Sequence, residues 1–86
     1  MILHMLTNVD AWPSLLKVAA SDDTVLLIDA GVYCAATSLE LKQKKINMVA
    51  YKPDVITRGL SLPEIKLIND EQWLALVIAH KQCITW

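Results

Sequence analysis

The run Thr24-Val25-Leu26-Leu27-Ile28 constrains this chain more than any other stretch. Side chains along a strand point alternately to opposite faces, so an unbroken apolar run leaves neither face for water. Such a strand belongs inside a parallel sheet that is covered on both sides. The remaining sequence supplies what that sheet needs. Residues 2–6 form a second apolar run interrupted only by His4, and further β-type runs occupy 46–51, 65–68 and 83–86. Helical stretches alternate with them. Pro13 suits a first helical turn, and residues 14–20 carry Leu15, Leu16, Val18 and Ala19 before Ser21-Asp22-Asp23 breaks the pattern. Asp29-Ala30-Gly31 turns the chain into a short helix over 32–36, and Ser38 is placed to cap another piece running to Lys44. Pro53 opens a helix that has Arg58 in its last turn and Gly59 just beyond, with Leu60 placed to pack back. Asn69 followed three residues later by Gln72 has the spacing of a capping box, and Trp73, Leu76, Val77 and His80 continue at helical spacing. This alternation predicts an α/β fold with a mainly parallel five-stranded sheet and helices on both faces. The pattern does not order the strands.

Eighty-six residues bound the chain to a single domain, 1–86. A domain of this size buries a modest share of its surface, yet 55% of its residues are hydrophobic, above the usual ~45–50%. The surplus needs a doubly covered sheet, an interface between subunits, or both. No uncharged run reaches the ~20 residues a bilayer crossing requires, and no secretory signal pattern is present, so a cytoplasmic chain without a membrane partner is expected. Eight basic and nine acidic residues give a net charge of −1, without the basic excess that nucleic-acid binding normally needs. The one concentrated charge, Lys42-Gln43-Lys44-Lys45, reads as a solvated helix end. Cys34 and Cys83 lack CxxC spacing and are expected as reduced thiols rather than a disulfide.

Candidate chemistry is sparse. Asp29, Gly31 and Val32 sit where an α/β sheet often holds a ligand, at the carboxyl end of a strand entering a helix. Backbone N–H groups there could hold an anion, but one glycine is no G-x-G-x-x-G fingerprint. The simpler reading is a tight turn at Gly31 capped by Asp29. Cys34 lies in the first turns of the following helix, where the dipole favours a thiolate. That makes it the more thiolate-prone cysteine, although Val32, Ala35 and Ala36 around it favour a packed, structural thiol. Cys83 reads as interior or interface filler. His4 and His80 have no third ligand spaced with them, so no metal site is predicted. Neither histidine has a nucleophile and acid in a recognisable triad. No cofactor and no self-contained active site are expected.

The closing segment His80-Lys81-Gln82-Cys83-Ile84-Thr85-Trp86 ends a helix and then reads as a strand. Tails fray unless tied down, and a tryptophan gains nothing from dangling in water. A docked edge strand or a partner contact is therefore expected, with Tyr33, Cys34 and Trp86 as candidate interface residues.

Taken in order, Leu3-His4, Leu26-Leu27-Ile28 leading to Gly31-Val32, Tyr51 and Asp54 before Arg58-Gly59, and Gln82 with Trp86 resemble the DsrH/TusB family of sulfur-relay subunits over nearly the whole chain. The resemblance implies a three-layer DsrE/F/H-like fold with strand order 4-3-2-1-5. It also implies a subunit of a hetero-oligomer with TusC/TusD-like or DsrF/DsrE-like homologues, and a homodimer when alone. In such assemblies the main sulfur-carrying cysteine belongs to the TusD- or DsrE-like partner. Some DsrH proteins carry a cysteine in the first helix, but residues 14–17 here have none. The family's Asp-Gly before Val is replaced by Ala30-Gly31, with Asp29 one place earlier. The reading that follows is a non-catalytic accessory subunit of a persulfide-transfer complex for tRNA wobble-uridine 2-thiolation. The alternatives are a sulfur carrier using Cys34, a DsrEFH-type subunit in sulfur oxidation, and, outside sulfur chemistry, a homo-oligomeric small-anion-binding module.

Overall fold

The computed structural model describes residues 1–37, 46–61 and 65–86. The helical piece expected from Ser38 to Lys44 and the basic cluster at 42–45 lie outside the described residues. Five strands, β1 (Ile2–Leu6), β2 (Thr24–Leu27), β3 (Asn47–Tyr51), β4 (Lys66–Ile68) and β5 (Gln82–Thr85), form one sheet in the order β4-β3-β2-β1-β5. Every pairing is parallel. β2 is the middle strand and is buried along its whole length, as its apolar run demands.

The first three crossovers step one way across the sheet, and the last returns to the far side of β1. With right-handed crossovers, that reversal puts the last helix on the opposite face. One face therefore carries α1 (Trp12–Val18), a 3-10 helix (Asp29–Thr37) and α2 (Lys52–Thr57). They contribute Leu15, Val32, Ala35 and Val55 to a core with Leu6, Val25, Leu27 and Ala50. Among the described residues the other face carries only α3 (Asp70–Ala79), whose Trp73 and Leu76 pack on Leu3, Leu26, Val49 and Ile68.

Local sequence signals explain several boundaries. Asn69 and Gln72 form both halves of the capping box at the start of α3. At the end of α2, Gly59 adopts φ +66°, its N–H bonds Ile56 O at 3.0 Å, and Leu60 N–H bonds Val55 O at 3.1 Å. That is a Schellman ending, and Leu60 packs on the core beneath it. α1 stops at Val18, two residues short of the expected end, because Ala19 is extended and Ala20 N–H turns to the Asp23 carboxylate at 3.0 Å. The segment expected as a helix over 32–36 is a 3-10 helix starting at Asp29. Its three-residue turn stacks Val32 and Ala35 toward the core.

Gly31 closes the predicted tight turn, its N–H bonding Ile28 O at 2.9 Å, and its lack of a side chain serves packing as well. A Cβ at this position would lie 1.8 Å from Leu6 O, so glycine lets the 3-10 helix press against the end of β1. The left-handed residue of the turn is Asp29, at φ +53°, a conformation that Asp tolerates better than most residues.

The closing segment is docked in its own sheet. β5 pairs with β1, Trp86 N–H bonds Met5 O at 2.8 Å, and Thr7 donates to Trp86 O from both N–H (2.9 Å) and Oγ1 (2.6 Å). The Trp86 indole N–H donates to His4 Nδ1 at 3.1 Å. An indole N–H can only donate, so Nδ1 is the acceptor and the His4 ring proton sits on Nε2, which faces Asp23 Oδ2 at 2.8 Å. Asp23 also accepts from Ile2 N–H at 2.9 Å. Burial pushes the Asp23 carboxyl up, but the bonds from Ala20, His4 and Ile2 outweigh it and hold the group below its ordinary value.

Two stability predictions follow from this packing. Gly31→Ala should destabilise by ~3 kcal/mol because overpacking forces the backbone apart. Gly59→Ala, with nothing within 4 Å of its Cβ, should lose only ~1 kcal/mol through its positive φ. Chemical denaturation of the two variants measures the contrast. Asp23→Asn should cost ~3 kcal/mol at neutral pH by breaking a buried charged network. Because the folded carboxyl is more acidic than the unfolded one, this stabilisation is full above pH ~4 and is lost as pH falls through the lowered value. The stability gap between wild type and Asp23→Asn should therefore shrink on acidification below that pH.

Candidate functional site

The carboxyl ends of β2 and β3 bring together a cluster of polar groups at the surface. Chain reversal after β2 places Asp29 at the surface, and α2, which opens directly from β3, presents Asp54 and Arg58 toward it. Asp29 N–H donates to Asp54 Oδ2 at 2.7 Å. Arg58 grips Asp29 twice, through Nη2 to Oδ1 at 2.7 Å and Nε to the main-chain oxygen at 3.2 Å. The guanidinium carbon lies 5.6 Å from the centre of the Tyr33 ring, within cation–π range. Next to this group, Tyr51 at the end of β3 donates its hydroxyl to Asp70 and packs its ring 5.1 Å from Trp73. The Asp70 hydrogen bond pushes the Tyr51 phenol up, helped by desolvation and by the charges of Asp70 and Asp54.

These groups are matched to one another. Asp54 holds the Asp29 N–H, and the Gly31 N–H bonds Ile28 O at 2.9 Å, so two of the donors that an anion would use at Asp29, Gly31 and Val32 are taken. Two carboxylates, Asp29 and Asp54, stand against one guanidinium, which further disfavours an anion. Val32 itself is fully buried. This geometry accords with the turn reading. The Asp29–Arg58 pair is solvent-exposed on the aspartate side, so it contributes at most ~1 kcal/mol. Its effect is to fix the shape of the strand-end surface.

Neither cysteine belongs to this cluster. Cys34 lies within the core at 6% exposure, and burial pushes its thiol up. Its position near a helix start suggests the opposite shift, and desolvation reverses it. Cys83 is exposed on β5, so of the expected interior or interface positions the interior one is excluded. It is in register with Leu3 and so shares the α3 face of the sheet. Of the candidate interface residues, Tyr33 is half exposed, whereas Cys34 packs into the chain's own core and Trp86 packs against His4. His4 and His80 also act separately. His80 is held by Leu76 O at 2.7 Å and Thr24 Oγ1 at 3.1 Å, while His4 belongs to the Asp23 network. Among the described residues no three His, Cys, Asp or Glu side chains group as a metal site. No helix among them is long and apolar enough to cross a membrane.

Sequence reasoning treated Arg58 only as a helix-end cation and did not join Asp29 to Asp54. The available signal was positional: each acidic residue lies within three residues of the carboxyl end of a strand, where α/β sheets gather functional groups.

A family model described as DsrH-like protein matches residues 7–83. The chain belongs to the DsrH-like family. That membership agrees with the sulfur-relay resemblance carried by Leu26-Leu27-Ile28, Arg58-Gly59 and Trp86. The solution NMR structure of protein Tm0979 from Thermotoga maritima superposes with a TM-score of 0.73 at 24% identity, covering 94% of this chain and 95% of that one. At that identity the likeness establishes the fold, including the all-parallel α/β arrangement. No curated protein matches the chain.

The positions of the two thiols in this DsrH-like chain give a direct expectation. Cys83 should alkylate at least about tenfold faster than Cys34 at neutral pH, because Cys83 is exposed whereas Cys34 is buried with its thiol pushed up. Rates measured on Cys34→Ala and Cys83→Ala across pH would show this. Faster reaction at Cys34 would mean that the 3-10 helix opens readily.

Proposed function

We propose that this DsrH-like chain is a non-catalytic accessory subunit of a cytoplasmic sulfur-relay complex serving tRNA wobble-uridine 2-thiolation. Its partners are homologous TusC/TusD-like subunits. Family membership supports the sulfur-relay role. The observation that carries the accessory assignment is the burial of Cys34, the cysteine nearest the strand-end cluster, with its thiol pushed up rather than down. A persulfide carrier must expose a nucleophilic thiolate to both donor and acceptor, and Cys34 meets neither requirement. The Asp29–Arg58–Tyr33 surface offers shape and paired charge without a nucleophile, which suits recognition of a neighbouring subunit.

Three measurements test the proposal together. Co-expression with TusC- and TusD-like homologues should yield a stable complex containing this chain. Incubation with a cysteine desulfurase and cysteine should load persulfide on a partner and leave Cys34 unmodified. Sulfur transfer to tRNA by the complex should persist after Cys34→Ala. Loss of transfer with assembly intact would make Cys34 a carrier and overturn the accessory role. A complex active in sulfur oxidation but unable to support tRNA thiolation would redirect the pathway to that of the DsrEFH assemblies.

A further inference from the structure

His4 and His80 are both buried, and they differ in what a second ring proton would meet. His80 Nδ1 donates to Leu76 O at 2.7 Å, and its Nε2 faces Thr24 Oγ1 at 3.1 Å. A hydroxyl can donate or accept, so Thr24 can turn its proton away and accommodate a charged His80. His4 has no such freedom. Its Nε2 lies 2.8 Å from Asp23 Oδ2, and its Nδ1 lies 3.1 Å from the Trp86 indole nitrogen, which only donates. A second proton on His4 must go to Nδ1 and would there stand donor against donor. Asp23 cannot relieve that clash, because it lies at the Nε2 side of the ring.

The surrounding charge nonetheless favours the proton. Among the described residues, the charged group bonded to the His4 ring is Asp23. Of the elements packed against β1, β2 and β5 contain no charged residue, and α1 brings only Lys17, which is exposed. The 3-10 helix brings exposed Asp29 and Tyr33 together with Cys34, whose thiol burial pushes up. Asp23 stays ionised into the acid range, since its hydrogen bonds hold the carboxyl below its ordinary value. Between pH ~8 and ~5, where imidazoles exchange protons, the network therefore has a buried negative charge to neutralise and one contact that opposes neutralising it. That contact is also what shields the ring. The indole lies 6.1 Å from His4, centre to centre, and His4 has no exposed surface. Moving the indole aside would let water accept from Nδ1.

We propose that His4 and Trp86 form a proton-controlled latch at the β5 side of the sheet: neutral His4 accepts the indole and holds the end of β5 on β1, and protonated His4 expels it. The proton passes from solvent to Nδ1, the indole hydrogen bond is broken, and no covalent bond of the chain changes. Because the released form binds the second proton more tightly than the docked form, docking is complete at high pH and weakens as pH falls. The latch does not rest on the sulfur-relay reading, since every contact in it lies within one chain.

Hydrogen exchange of the Trp86 indole and main-chain N–H groups tests it, read by NMR on the full chain from pH ~8 to ~5. Exchange is expressed as protection relative to the free group, which removes the intrinsic pH dependence. Wild type should lose at least about tenfold protection at both groups on acidification, while the amides of β2 keep theirs. His4→Gln retains one donor and one acceptor and takes no proton in this range, so its protection should hold throughout. Trp86→Phe removes the opposing donor. Its position-86 main-chain N–H should be less protected at the alkaline end and change less than about threefold across the range. His80→Gln should behave as wild type. Wild-type protection that stays flat overturns the latch, as does an acid-induced loss that survives His4→Gln or disappears in His80→Gln. If His4→Gln does not fold, Trp86→Phe decides, and a loss at its position-86 N–H equal to that of wild type overturns the latch. These readings are made on the chain alone, so they stand apart from whether a complex with TusC- and TusD-like homologues forms.

Discussion

Three hydrogen-bond donors meet at the Asp23 carboxylate, and the outer part of the sheet depends on that meeting. Asp23 fixes the start of β1 through Ile2 N–H and the turn after α1 through Ala20 N–H, while its third donor is His4. His4 is fully buried and has one proton to give. By giving it to Asp23 it leaves Nδ1 free to accept the Trp86 indole, and that acceptance helps seat β5 beside β1. A buried carboxylate is costly when unpaired, so the network holds only while every member is present. Removing His4 would strand a charge at one end and an indole donor at the other. Connectivity, rather than any single bond, makes these residues interdependent.

The two faces of the sheet are covered unequally, as strand order dictates. Three crossovers moving in one direction place α1, the 3-10 helix and α2 side by side, and their core takes in twelve buried residues among those described. The single return crossover supplies only α3, and its core takes in four. The strand-end cluster lies on the well-covered side at Asp29 and α2, but Tyr51, Asp70 and Trp73 bridge from it to α3. The two layers are therefore linked at the one edge where α/β proteins gather functional groups.

What could be read from the sequence was local or periodic. The doubly apolar β2, the capping box of Asn69 and Gln72 and the Schellman ending at Gly59 each lie within a few residues, and each appears in the fold. Strand order came from the family resemblance, since alternation alone fits several orders. The Asp23 network was out of reach because its partners lie 19 and 82 positions apart. Nothing local separates Asp23, which is buried, from its exposed neighbour Asp22. Cys34 is packed, as Val32, Ala35 and Ala36 suggest, but the thiolate preference of a helix start does not hold there, for a related reason. Helix-start position is visible in sequence, but the desolvation that outweighs it depends on how far the 3-10 helix sinks toward β1, and that depends on Gly31 meeting Leu6.

The sparse cover of the α3 face also explains where the hydrophobic surplus resides. Strands about 4.8 Å apart make a five-stranded sheet roughly 20 Å wide, and one helix with its side chains spans about 10–12 Å. α3 can cover only about half of that face. The strands adjust to this limit. Under the helix the face is Leu3, Leu26, Val49 and Ile68, while toward its margins Asn47, Lys66, Cys83 and Thr85 are exposed. A polar rim of this kind lets the uncovered margin meet water without penalty. No such adjustment is made on the outside of α3, where Leu74 is 61% and Ile78 75% exposed, so much of the hydrophobic surplus resides on that helix rather than at the margins of the sheet.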